Sequence, residues 1–83
     1  MVRLLYFASL RETLGVANEQ LELPDGVENV AALTRWLQTR GEPWHDALAN
    51  PQLLVAVNQE VVPVETAVHN GDEIAWFPPV TGG

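Results

Sequence analysis

The chain has 83 residues, a formal net charge of −7 and no cysteine, which leaves room for one small domain and excludes disulfide frameworks, iron–sulfur clusters, thiolate zinc sites and cysteine nucleophiles. Eleven acidic residues against four basic ones disfavour nucleic acid and anionic membrane surfaces as partners, and no apolar run approaches the roughly 20 residues of a membrane span. With 47% apolar and 18% charged residues the composition fits a globular core, and the start lacks the basic-then-apolar layout of a signal peptide, so a cytoplasmic location is expected.

Val2-Arg3-Leu4-Leu5-Tyr6-Phe7-Ala8 is rich in branched and aromatic residues and predicts a strand. Over residues 9–15, Ser9 as cap, Glu12 in a capping box and Gly15 as closing residue predict one or two helical turns. Residues 19–23 alternate polar and apolar, which predicts a strand with one wet face, broken by Pro24-Asp25-Gly26. The longest helix is predicted over 29–40, with Asn29 at the N-cap and Gly41 just past the end. Val30, Leu33 and Leu37 form its apolar stripe, flanked by Ala31, Thr34 and Trp36. Residues 43–49 predict a short helical turn, with Trp36 and Trp44 packing the helix and the loop after it. Leu53-Leu54-Val55-Ala56-Val57 reads as a strand buried on both faces. Asn58-Gln59-Glu60 turns the chain into Val61-Val62, and Pro63 confines the residues after it to an edge or loop. Asn70-Gly71-Asp72 marks a turn before a last strand over 73–77.

This order predicts an α+β fold: a ubiquitin-like β-grasp, a mixed sheet with one long helix packed across one face. The domain is expected over residues 1–77, followed by an extended tail over 78–83. One helix covers one face only. In the last strand Ile74 and Trp76 share a face opposite Ala75 and Phe77, and in the first Val2, Leu4 and Tyr6 oppose Leu5 and Phe7. With Ile74 and Leu4 in the core, Phe7 and Phe77 fall on the other face, where grouped apolar side chains mark a partner site unless the segments at 9–15 or 43–49 cover them.

The tail reads Pro78-Pro79-Val80-Thr81-Gly82-Gly83. Its prolines remove backbone donors and favour an extended path away from the sheet. Two specified glycines at the end of a chain arise by chance in about 0.5% of sequences. A terminal glycine carboxylate is ionised and a poor electrophile, but activation by ATP would make it a mixed anhydride with an unhindered carbonyl. The tail therefore reads as a substrate for another protein. His45 and His69 are single, without paired ligands, and no glycine-rich phosphate loop is present, so neither a metal site nor a bound nucleotide is expected in this chain.

Phe7-Ala8-Ser9-Leu10-Arg11-Glu12, Val55-Ala56-Val57-Asn58-Gln59 and the whole run from Asn70 to Gly83 resemble the small subunit of molybdopterin synthase, the MoaD-type ubiquitin-like sulfur carriers. The resemblance implies that Gly83 is adenylated by a ubiquitin-activating-like adenylyltransferase using ATP and magnesium. It implies that a sulfurtransferase or cysteine desulfurase then supplies sulfur for a C-terminal thiocarboxylate. The large subunit would receive the tail, residues Pro78, Pro79, Val80, Thr81 and Gly82, and pass the sulfur to cyclic pyranopterin monophosphate. Phe7, Val61, Phe77 and Arg11 would contact that subunit in a heterotetramer, and the carrier itself would hold no cofactor. All four basic residues are arginine; codon bias accounts for this most simply, but a lysine-free carrier also cannot be its own isopeptide target. A thiamin-thiazole sulfur carrier, a ubiquitin-like protein modifier and a plain interaction module remain as rival readings.

Overall fold

The computed structural model describes residues 1–79. Its elements are β1 (Val2–Tyr6), α1 (Ala8–Leu14), β2 (Asn18–Leu21), α2 (Val30–Gln38), α3 (Trp44–Ala47), β3 (Leu54–Val57), β4 (Glu60–Val61) and β5 (Glu73–Phe77). The five strands form one mixed sheet in the order β2-β1-β5-β3-β4, with β1 and β5 parallel at its centre and the other pairs antiparallel. This is the expected β-grasp. No helix among the described residues is long and apolar enough to cross a membrane.

Burial explains the layering. Val30, Leu33 and Leu37 of α2 are buried against Val2, Leu4 and Tyr6 of β1, Val55 of β3 and Ile74 and Trp76 of β5. Each fully buried side chain of this size contributes about 1.5–3 kcal/mol. Trp76 takes its indole N–H into this layer, where it donates to the Thr34 hydroxyl at 3.1 Å, which in turn donates to the Val30 carbonyl at 2.9 Å. The buried donor is thereby satisfied from within the helix that covers it.

Several boundaries differ from the sequence reading. β1 stops at Tyr6 because Ala8 takes a left-handed φ of 54°, which turns the chain sharply into α1. Ser9 does not cap that helix: Phe7 occupies the N-cap with no side-chain bond, and its carbonyl accepts from the Leu10 and Arg11 N–H groups. Gly15 closes α1 in the left-handed conformation, as expected. Asn29 caps α2, its side chain accepting from the Ala32 N–H at 2.8 Å. α2 ends at Gln38, two residues short of the expected Arg40, because Thr39 is already its C-cap. β2 covers Asn18–Leu21 and not 19–23. β3 is not buried on both faces, since Leu54 is exposed on the side away from α2. The β3–β4 hairpin turns through Asn58 and Gln59, both at positive φ as a tight primed turn requires. Asn58 suits that position because its side-chain oxygen accepts from the Glu73 N–H and its nitrogen donates to Asp72.

A polar network closes one flank of the core. Arg40 makes two bonds to Glu19, at 2.8 and 2.9 Å, and the Tyr6 hydroxyl donates to the same carboxylate at 2.9 Å. The Arg40 guanidinium lies over the rings of Trp44 and Trp36, 4.5 and 5.4 Å from their centroids. Tyr6 stacks on Trp76 and meets Trp44 edge-on. The bond from Arg40 holds the Glu19 carboxyl below its ordinary pKa, against the opposing effect of its burial. Burial, followed by the charge of Glu19, pushes the Tyr6 hydroxyl up.

Because the folded-state pKa of Glu19 is depressed, its contribution is present above the ordinary carboxylate range and fades as pH falls through it. Thermal unfolding of wild type and Glu19→Gln should differ clearly at pH 7, the variant melting lower, and the gap should narrow at pH 3. A gap independent of pH would show that the charge of Glu19 contributes nothing.

Candidate functional site

The strand register builds a second apolar surface on the face that α2 leaves open. Val61 pairs with Ala56, Ala56 with Ala75 and Ala75 with Leu5, so these four side chains form a row across β4, β3, β5 and β1. Leu54 pairs with Phe77 in the next row towards the end of β5. Phe7 continues that row beyond β1, its N–H donating to the Trp76 carbonyl at 3.2 Å. The alanines make a low floor, and around it Phe7 is 46% exposed, Leu54 37% and Val61 60%. Leu5 and Phe77 are half-buried. Neither α1 nor the segment around α3 covers Phe7, which leaves a contiguous apolar patch of the kind that marks a binding surface.

The structure thus brings Phe7, Val61 and Phe77 to one face. Arg11 is exposed on α1, on the helix directly after Phe7. Leu5 and Ala75 lie on the same face, as their alternation with Phe7 and Phe77 predicts, and Leu54 and Ala56, missed by the sequence reading, complete the surface. The signal for them lies in strand pairing: once β3 is set antiparallel to β5 with Leu54 opposite Phe77, every second residue of both strands takes its place on this face.

At the end of β5, Pro78 borders a cavity of about 260 Å³ together with Ser9, Leu10 and Thr13 of α1 and with Ala47 and Leu53. Pro78 and Pro79 are half-buried, so the tail leaves the sheet beside the start of α1, next to Phe7 and Phe77. Val80, Thr81, Gly82 and Gly83 lie outside the described residues.

Trp36 and Trp44 are half-buried around Arg40, in keeping with their expected packing role. His45, read from sequence as a single histidine, in fact sits between two carboxylates: its Nδ1 is 3.1 Å from Asp46 and 3.5 Å from Glu42. All three side chains are more than half exposed, so these contacts contribute little.

The ThiS family matches residues 4–83. The chain belongs to this family. It is 47% identical to the "Molybdopterin synthase sulfur carrier subunit" of Haemophilus influenzae, with the whole of both chains covered. Among solved structures it resembles SAMP1 from Haloferax volcanii at a TM-score of 0.75 and 28% identity, covering 99% of this chain and 98% of that one. It also shares its fold with a chain of the protein–protein complex of subunits 1 and 2 of molybdopterin-converting factor from Helicobacter pylori. There the TM-score is 0.69 at 24% identity, covering 99% of this chain and 97% of that one. Full-length identity to a molybdopterin synthase carrier, rather than to a thiamin-thiazole one, places the chain on the molybdopterin side of its family.

The exposed row and the core row should respond oppositely to truncation. Val61→Ser, at an exposed position, should change unfolding free energy by within about 0.5 kcal/mol, whereas Ile74→Ala, on the helix-covered face, should cost about 2–5 kcal/mol. Denaturant titration checks both, and similar losses would mean that the far face is part of the core.

Proposed function

We propose that this chain is the sulfur carrier subunit of molybdopterin synthase, with the carboxyl group of Gly83 as its working group. The observation that supports this best is full-length 47% identity to a curated carrier. With it goes a fold in which the tail leaves the sheet beside an uncovered apolar face.

The carboxylate of Gly83 is activated by a ubiquitin-activating-like adenylyltransferase with magnesium and ATP: a carboxylate oxygen attacks the α-phosphorus and pyrophosphate leaves. A persulfide carried by a sulfurtransferase or cysteine desulfurase then attacks the glycyl carbonyl and displaces AMP, and a thiol cleaves the resulting acyl disulfide, leaving the terminus as a thiocarboxylate and the enzyme cysteine in a disulfide with that thiol. Glycine suits both steps because no Cβ shields the carbonyl and a narrow active site can admit the terminus. The large subunit of the synthase binds the face carrying Phe7, Leu54, Val61 and Phe77, with Arg11 at its margin. Pro78, Pro79, Val80, Thr81 and Gly82 span the distance to its active site. Six residues reach on the order of 20 Å when extended, enough to carry a thiocarboxylate from the edge of an interface into a buried site. There the sulfur passes to cyclic pyranopterin monophosphate. In the assembled heterotetramer one carrier sits at each end of a large-subunit dimer, in the cytoplasm.

The division of labour between face and tail is testable with two variants in one assay of sulfur transfer. Deleting Gly83 should abolish transfer while leaving the affinity for the large subunit within about twofold, because one glycine without a side chain contributes little of the buried area. Phe77→Asp should weaken the complex roughly tenfold or more, since it places a charge in a desolvated contact. A tight complex with Phe77→Asp would place the interface elsewhere, and retained transfer without Gly83 would refute the carrier role.

A further inference from the structure

The chain contains four arginines and no lysine, and the fold puts one of those arginines beside the base of the tail. Since β1 and β5 run parallel, Tyr6 pairs with Trp76 at the end where β1 gives way to α1 and β5 to Pro78. Pro78 shares a cavity with Ser9, Leu10 and Thr13, and Arg11 is exposed on the same seven-residue helix, which is about 10 Å long. Residues 78–83 have a contour length on the order of 20 Å, so Arg11 falls well within the distance that the Gly83 carboxyl can reach. Arg3 pairs with Glu73 at the other end of the same two strands, about 10 Å from the Tyr6–Trp76 pair, and falls within that length too. In a domain this small, most surface positions are in range of its own tail.

That proximity matters if the terminus is activated, and the inference rests on that reading. An acyl-adenylate is attacked by a neutral amine: the nitrogen lone pair adds to the glycyl carbonyl and the bond to the phosphate oxygen breaks. AMP then leaves and the ammonium proton passes to water, which leaves an amide. At pH 8.5 about 1% of an exposed lysine is neutral, against about 0.01% or less of an arginine, whose lone pair is also delocalised over the guanidinium. Arginine thus keeps the positive charge at each position while offering no competent nucleophile.

We propose that the all-arginine composition removes every side-chain amine from the reach of the activated Gly83 carboxyl, leaving only the Met1 α-amine at the far end of β1 beside Gly71, so that the carrier forms no isopeptide bond within itself or to the side chain of a second copy. The same property would make this chain a terminating unit if it were ever joined to another protein, because it presents no lysine on which a further copy could be built.

Arg11→Lys places one amine on the helix beside the base of the tail, and Arg11→Ala removes the charge without adding one. Each variant and the wild type are incubated with a competent adenylyltransferase and ATP, without a sulfur source, and analysed by intact mass with peptide mapping. The expected result is a species lighter by one water in Arg11→Lys, roughly tenfold or more abundant than in wild type, with position 11 joined to Gly83. Arg11→Ala should show no more water loss than wild type. Equal water loss in all three chains, or none in Arg11→Lys despite pyrophosphate release, would overturn the inference. Failure of the wild type to release pyrophosphate would overturn the activation reading beneath it.

Discussion

The parallel pairing of β1 with β5 is the contact on which the rest of this molecule depends. It joins Val2–Tyr6 to Glu73–Phe77 at the centre of the sheet, so this one contact closes a loop of nearly the whole chain. Such non-local closure costs chain entropy that local contacts cannot offset. The compensation is visible at the same spot: Leu4 and Ile74 pair and are fully buried, and Tyr6 stacks on its partner Trp76. The pairing also fixes direction. Because the strands are parallel, the residue after β5 emerges where α1 begins, and this brings Pro78, Phe7 and Arg11 to one end of the domain.

A second constraint is area. The nine residues of α2 cover one face of a five-stranded sheet, and α1 and α3 lie where they leave Phe7, Leu54 and Val61 exposed. A domain this small has few apolar residues to spare beyond its core. A row of them on the far face is therefore better explained by burial in a complex than by folding. The same face adjoins the point where Pro78 leaves β5, so under the proposed function a partner bound there would also meet the base of the tail.

Much of this was legible in the sequence, and the failures have physical causes. Period-two alternation in 73–77 and the stripe Val30, Leu33, Leu37 identified the core because burial imposes those periods directly. Asn29 as a cap and Gly15 as a left-handed stop were readable because few residues can satisfy helix ends. Ser9 misled because a serine three residues before a glutamate matches a capping box, whereas the positive φ of Ala8 starts the helix two residues earlier and leaves the cap to Phe7. Leu54 misled because an unbroken apolar run reads alike whether both faces meet the protein's own core or one meets a partner. The network ties Arg40, with Trp36 and Trp44 four residues to either side, to Glu19 and through it to Tyr6, and those links to distant residues are encoded by no local pattern.

The central claim is chemical: the Gly83 carboxyl becomes a thiocarboxylate. Intact mass of the full chain after incubation with ATP, the adenylyltransferase and a sulfur source tests it most directly. Exchange of one carboxylate oxygen for sulfur predicts a gain equal to the difference between the two atoms. Oxidation of Met1 adds nearly the same mass, so fragment ions must assign the gain to Gly83. A gain confined to Gly83 is the result this account requires. An unmodified Gly83, under conditions where the same enzymes sulfurate a known carrier, would contradict it.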